Sequence, residues 1–389
     1  MIINEVFEFS HPTKIIFGAG KIKNLGELTK EYGTRALIIT DQGVVNAGIL
    51  AKAEEALNAA GMEYKVFADV LPNPRDTGCQ EAADMGKDYG AQVIIGMGGG
   101  SAMDTAKAVA VLMTQGGTCA EHAVTRKFHA SLLPIICIPT TSGTGSEVTF
   151  EAVITATELG RKVSISDGSK LAPTIALMDP ELTITVPPLV TASTGMDALT
   201  HAIEAYTCKY AQPISDGLSY YAIQQIAKNI IEATKNGENL AARTGMMIGS
   251  LMAGMAFTNS FLGAVHAFSE RLGGFYDIPH GIANAIFLPY VTEYNMSADW
   301  EKHANVARAL GIVPNGFGDQ EMAEKGVAEL FKLNHTLGIP RFGELEVVDP
   351  KDFTELSELC DTHPCGAKAN PRPIGKKEYK EIFNRAYLG

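Results

Sequence analysis

An aspartate and a histidine four residues apart, Asp197-Ala-Leu-Thr-His201, are the residues best placed for chemistry. At that spacing on a helix a carboxylate and an imidazole share one face and reach a single metal ion. Two further histidines, His266 and His280, stand fourteen residues apart, the first in a stretch of helical composition and the second directly after Pro279. Three imidazoles and one carboxylate suit Fe(II), Zn(II) or a similar divalent ion. Spacing pairs 197 with 201 but does not join 266 and 280 to them. The other six of the nine histidines show no comparable arrangement.

A second chemistry belongs to glycine. Gly98-Gly-Gly-Ser-Ala-Met-Asp-Thr-Ala-Lys107 follows the apolar run Val93–Gly96 and opens a helix. Glycines allow a tight turn and close approach to a ligand, and the free N–H groups of a helix start suit a pyrophosphate. The run is neither GxGxxG nor a Walker A motif, and a tight strand–helix turn without a ligand would look the same. A second polar loop, Pro139-Thr-Thr-Ser-Gly-Thr-Gly-Ser-Glu147, also follows a strand candidate. Ligands bind at such strand ends in open α/β sheets. Asp41, after the first strong strand candidate, could accept hydrogen bonds from an adenosine ribose and repel a 2′-phosphate, favouring NAD over NADP. It could equally be a helix cap or the start of an Asx turn.

These residues need a frame. The runs 35–40, 64–67, 92–96 and 134–139 are short and apolar, and residues 47–60, 78–89 and 102–113 between them have helical composition. That alternation predicts a parallel sheet covered on both faces. After Pro187-Pro188 the chain becomes rich in Ala, Met, Leu and Gln with helical spacing. The expected organisation is an α/β dinucleotide-binding domain over residues 1–185 and an all-helical domain carrying metal and substrate over 186–389.

Composition excludes several classes. The 389 residues carry a net charge of −12 with no Lys/Arg block, a poor match for nucleic acid or an anionic membrane. The first residues lack the basic start and apolar run of a secretory signal. No run of 18 apolar residues occurs, so no membrane-spanning helix is expected. Six scattered cysteines without a CxxC pair fit a reducing cytoplasm better than a disulfide framework.

Taken together, these segments resemble the iron-activated (group III) alcohol dehydrogenase family. The matching stretches are Gly98–Lys107, Pro139–Thr149, Gly195-Met-Asp-Ala-Leu-Thr-His-Ala-Ile-Glu-Ala-Tyr206, His266 to Gly281 with Asn284-Ala285, and Asn370-Pro-Arg372. The resemblance implies the dehydroquinate synthase-like, iron-type alcohol dehydrogenase architecture. It also implies an NAD-dependent alcohol dehydrogenase or aldehyde reductase that places the substrate oxygen on a divalent metal. It makes Asp197, His201, His266 and His280 the ligands of Fe(II), with Zn(II) the alternative. It places NAD against Asp41, Asn73, Gly98, Gly99, Gly100, Ser101, Asp104, Thr140, Thr141, Thr144 and Lys162. The partner is a small alcohol or aldehyde, and the assembly a homodimer or higher homo-oligomer. Polyol or glycerol oxidation, and acidic substrates such as 4-hydroxybutyrate or sulfonated and phosphonated aldehydes, are the alternatives on this fold. A dehydroquinate synthase-type lyase and a non-catalytic NAD or metal sensor are the more distant ones.

Two positions depart from the family pattern. Many relatives carry a histidine four residues after the third ligand, at a place tied to proton movement or substrate contact, and here it is Glu270. Glu151 replaces a neutral polar residue of some relatives. An acid at 270 argues against an anionic substrate unless Arg271 or Lys162 turns inward.

Overall fold

A computed structural model of the protein describes residues 6–389; the first five residues of the stretch read for a secretory signal lie outside the described residues. Contacts divide the chain into two compact units. One is His11–Val186; the other joins Pro187–Gly389 to residues 6–10.

In the first unit six strands form a parallel sheet: β1 (Lys14–Phe17), β2 (Arg35–Ile39), β3 (Glu63–Phe67), β4 (Val93–Gly98), β5 (Ile135–Pro139) and β8 (Ile175–Met178), ordered β1-β8-β5-β4-β2-β3. A separate antiparallel hairpin joins β6 (Ala152–Ala156) to β7 (Arg161–Ile165). The helices are α1 (Leu25–Lys30), α2 (Gln42–Asn46), α3 (Ile49–Ala59), α4 (Asp76–Tyr89), α5 (Gly100–Gln115) and α6 (Cys119–Thr125). Alternation along the strands feeds two cores. Leu37, Ile39 and Ile94 pack with Ala83, Ala106 and Val109, while Ala36, Ile38, Val93 and Ile95 pack with Leu50, Ala53 and Leu57. A strand buried on both faces must be apolar throughout, which is why β4 and β5 read as unbroken runs.

The chain runs from β2 outward to β3 and then returns to lay β4 on the other side of β2. Strand order therefore reverses between β2 and β4, where open α/β sheets hold ligands. In the β4–β5 register Gly98 pairs with Pro139, so both polar loops leave the same sheet edge, and Asp41 follows β2 beside them. The helix expected over 47–60 is α3, Ile49–Ala59, entered through Gly48 at φ +71°, and the short α2 that ends at Asn46 before it is one the sequence does not predict. Strands β1 and β8, of four residues each, and the β6–β7 hairpin were not legible as elements in the sequence.

The second unit holds α7 (Pro188–Thr207), α8 (Pro213–Lys235), α9 (Leu240–Asn259), α10 (Ala264–Tyr276), α11 (His280–Asn295), α12 (Trp300–Ala309), α13 (Asp319–Leu337), α14 (Phe353–Asp361) and α15 (Lys376–Leu388), with no strand among the described residues. Prolines at the first helical position, where an N–H has no helical partner anyway, start α7 and α8. Helix α7 is buried nearly throughout and packs on α8, α9 and α11. Contrary to the expectation from apolar runs, α9 is long and apolar enough to cross a membrane by length and composition. Its window is 61% buried within the structure, against α7 and α8, as a core helix would be.

Candidate metal centre and dinucleotide site

Helix α7 presents Asp197, His201 and Glu204 at i, i+4 and i+7, one stripe of a 3.6-residue helix. Helix α10 supplies His266 from its first turn, and α11 starts at His280. One donor atom from each of Asp197, His201, His266 and His280 lies within 4.8 Å of the others. Asp197 Oδ1 is 3.8 Å from His201 Nε2 and 3.7 Å from His280 Nε2. Four donors about 2.1 Å from one tetrahedral ion would stand roughly 3.4 Å apart, so the two Asp197 pairs need close by only a few tenths of an ångström, and the widest pair, at up to 4.8 Å, by more than an ångström.

The hydrogen bonds favour a cation there. The Asn284 amide, one turn into α11 from His280, donates to Asp197 Oδ1 at 2.6 Å and lies 3.1 Å from His280 Nε2 and 3.3 Å from His266 Nε2. An amide has two protons for these three acceptors. The centre is thus richer in lone pairs than in donors, as a cation site must be. Burial alone would raise the Asp197 carboxyl, but the three imidazoles and the Asn284 amide bring it below its ordinary value.

Glu204 fixes the remaining freedom of His266. His266 Nδ1–H donates to Glu204 Oε2 at 2.6 Å, and Val265 N–H donates to Oε1 at 2.7 Å. The proton on Nδ1 leaves Nε2 as a lone pair towards the centre. Asn370 Oδ1 accepts from Ala264 N–H, so two side chains satisfy orphan donors at the start of α10. Gly263 is required here, because a Cβ would lie 2.7 Å from Glu204 Oε1. His201 stacks on Phe257 and on His266, with ring centroids 4.5 and 4.8 Å apart.

In the α/β unit, Gly98 takes φ +152°, and Gly99 begins α5 with no capping side chain, leaving its first N–H groups for a ligand. A Cβ on Gly100 would meet Thr144 at 2.8 Å, which brings the two polar loops together. Thr140 N–H donates to Gly98 O, and Thr141 lies beside Gly99. Ser101 is in the first turn of α5, Asn73 has φ +52°, and Lys162 lies on β7 opposite Thr155. Asp41 does cap α2, accepting from Val44 N–H at 3.1 Å, while its other oxygen faces Gly98. Asp104 spends its oxygens on Ser146 Oγ and Val153 N–H, so it braces the second loop.

Known proteins match along almost the whole length. The family "Iron-containing alcohol dehydrogenase" matches residues 12–180, and "Fe-containing alcohol dehydrogenase family, C-terminal" matches residues 191–387. The chain belongs to the iron-containing alcohol dehydrogenase family. It is 38% identical to a 1,3-propanediol dehydrogenase of Klebsiella pneumoniae, over 98% of this chain and 99% of that one. A crystal structure of a 1,3-propanediol oxidoreductase superimposes with TM-score 0.94 at 37% identity, covering 98% of this chain and 100% of that one. A sulfoacetaldehyde reductase of Bifidobacterium kashiwanohense, solved in complex with NAD+, gives TM-score 0.89 at 30% identity over 99% of each chain. This alcohol dehydrogenase is accordingly an oxidoreductase of alcohols and aldehydes.

Several working residues of this alcohol dehydrogenase were not singled out by sequence. Glu204 had a signal, since it continues the 197, 201 stripe by one turn. Asn284 had the same four-residue relation to His280. Lys107 is fully buried and donates to Ser146 Oγ, Thr149 Oγ1 and Glu151 O, using all three ammonium protons to tie α5 to the second loop. Glu147, beside it in that loop, is pushed by burial up to about 7 although Lys107 opposes the shift. His363 had no signal at all. It is drawn to Glu270 by tertiary packing, with Nε2–H donating to Glu270 Oε2 at 2.8 Å. Arg271 turns elsewhere, its Nε–H donating to Leu359 O.

Proposed function

We propose that Asp197, His201, His266 and His280 hold one divalent ion, Fe(II) or Zn(II). NAD binds at the β2, β4 and β5 strand ends, and the substrate is a small primary alcohol or its aldehyde. The observation that carries the metal assignment is the convergence of four donor atoms, from three helices, within 4.8 Å. Bound NAD supplies the hydride acceptor and a bound divalent ion the Lewis acid that draws electron density from the substrate oxygen.

The chain's own residues do the rest. Glu204 keeps the His266 proton on Nδ1 and the lone pair on Nε2. Asp197 contributes the one negative charge among the four ligands, so a divalent ion keeps net positive charge and hence its pull on oxygen. The α5 start receives the pyrophosphate, and Asp41 takes the ribose hydroxyls while disfavouring a 2′-phosphate. Asn73, Ser101, Thr140, Thr141, Thr144 and Lys162 complete the dinucleotide surface, with Asp104 as a brace. Six free, buried cysteines support a cytoplasmic enzyme, and relatives of this family support a homodimer or larger homo-oligomer.

The test is anaerobic. Metal is stripped, Fe(II) or Zn(II) is returned, and NADH oxidation is followed with short neutral and acidic aldehydes. Turnover restored by one metal identifies it. His266→Ala should lose metal-dependent turnover while NADH still binds; normal turnover in that variant sinks the ligand assignment.

A further inference from the structure

Helix α10 carries His266 in its first turn, so whatever fixes the start of that helix also fixes the ligand. Its cap residue, Gly263, has no side chain to accept from the first N–H groups. Two residues from distant parts of the chain accept instead. Glu204 Oε1 takes Val265 N–H at 2.7 Å, and Asn370 Oδ1 takes Ala264 N–H at 3.1 Å. They stand side by side: a Cβ on Gly263 would lie 2.7 Å from Glu204 Oε1 and 3.2 Å from Asn370 Oδ1.

Asn370 is fully buried and bonded on every side. Its Oδ1 also accepts from Asn295 Nδ2–H at 2.9 Å, while its Nδ2 donates to Asn295 Oδ1 at 2.7 Å and to Arg372 O at 2.6 Å. A carboxamide has two lone pairs and two protons, and all four are in use. Asn295 closes α11, the helix that His280 opens. The chain on either side is anchored in turn. Ala369 O accepts from Lys209 N–H, just past the end of α7. The Arg372 guanidinium lies 4.1 Å over the Tyr294 ring and donates to Tyr294 O, and Tyr294 OH donates to Pro373 O. Residues 369–373 therefore reach one end of each of the three helices that carry the four ligand candidates. An amide suits this place better than a carboxylate. A second anion beside Glu204 would be repelled, and it could donate neither to Asn295 nor to Arg372 O.

We infer that Asn370 is a positioning residue for the metal centre: by holding the start of α10 against the end of α11, it sets where His266 Nε2 stands. The inference rests on the metal-site reading above. A buried polar node with every bond made is rigid on its own account, so the helix start is set before an ion arrives rather than shaped by it.

The experiment measures Zn(II) affinity of the full chain by chelator competition. Co(II) in place of Zn(II) adds a spectrum, because its visible absorption follows coordination geometry. Asn370→Asp keeps the shape and the acceptor for Ala264 N–H but loses both donated bonds. It should weaken Zn(II) binding by about tenfold, the lower end of what outer partners of a metal site typically cost, and alter the Co(II) spectrum. Phe353→Leu is the comparison, since Phe353 stacks on Phe342 and Phe383 in the aromatic core of the same unit. It should lower thermal stability while keeping Zn(II) affinity and the Co(II) spectrum. If Asn370→Asp folds and binds Zn(II) as the wild type does, or if the two variants lose affinity alike, the inference is overturned. Should Asn370→Asp not fold, hydrogen exchange on the wild type decides. In the metal-free protein the Ala264 amide should exchange as slowly as amides inside α10, and exchange at the rate of an open helix end overturns the inference. A wild type that binds none of Fe(II), Zn(II) and Co(II) would instead overturn the metal-site reading beneath it.

Discussion

Replacing Glu204 by Gln tests the centre through a residue that touches no substrate. The change is nearly isosteric, so the packing around a side chain only 4% exposed should survive. The chemistry does not. Glu204 accepts two hydrogen bonds, from Val265 N–H at 2.7 Å and from His266 Nδ1–H at 2.6 Å. A glutamine has one oxygen for these two donors. If the oxygen serves Val265, the amide N–H faces Nδ1, the imidazole proton moves to Nε2, and the lone pair offered to the metal is lost. If the oxygen serves His266, the amide N–H confronts Val265 N–H, and a buried donor goes unsatisfied at a cost of about 1–3 kcal/mol. Replacing the partner of a metal-bound histidine typically weakens metal binding by about 10- to 100-fold, or roughly 1.4–2.8 kcal/mol. The assay is metal affinity by chelator competition, with thermal unfolding of the metal-free protein as control. A dissociation constant unchanged in a well-folded Glu204→Gln protein would refute the tautomer argument and with it the role of His266 Nε2.

Three other outcomes are expected. Asp41→Asn keeps the α2 cap, since Asn caps as well as Asp, but removes the charge that opposes a 2′-phosphate; thermal stability should hold while kcat/KM with NADPH rises relative to NADH, and an unchanged ratio would exclude Asp41 from cofactor choice. Glu147 has its folded pKa raised by burial from 4.5 to about 7, so its contribution is fully present below about pH 4.5 and lost as pH rises through 7, amounting to about 3 kcal/mol. Denaturant unfolding of wild type and Glu147→Gln from pH 4 to 8 should therefore diverge in slope, the variant lacking that loss; parallel curves would contradict it. Gly281→Ala sets a Cβ 2.5 Å from the Ser193 carbonyl oxygen on α7, where backbone cannot yield, so the start of α11 and His280 with it must shift. Stability should fall by about 1–3 kcal/mol and metal affinity with it; full metal affinity would show that His280 does not depend on that close contact.

How much of this was legible depended on whether the signal was local. Strands β2, β4 and β5 were readable because a strand buried on both faces must be an apolar run, and Gly98 to Gly100 because a tight approach needs glycine. The i, i+4 relation of Asp197 and His201 was readable for the same reason, as helix geometry writes it into spacing. β1 and β8 were not: four residues are too few to show a period, and they exist because the sheet edge pairs them, Lys14 with Ile175 through Phe17 with Met178. The joining of His266 and His280 to α7 came from resemblance rather than spacing, because two side chains meet only once helices are packed.

The same distinction explains why the second residue layer was harder to read than the ligands. Glu204 and Asn284 lie on the stripes of helices whose ligands were already identified, so a further turn of the same periodicity leads to them. His363 lies on no such stripe, 93 residues from the Glu270 it meets. A departure at one position of a packed site alters the demands on whatever faces it: an acid on α10 beside buried imidazoles needs a donor from across the core. Here the chain supplies one whose own second nitrogen is tied to backbone. Spacing could reveal that 270 carried an acid; only the packing shows that the acid is held.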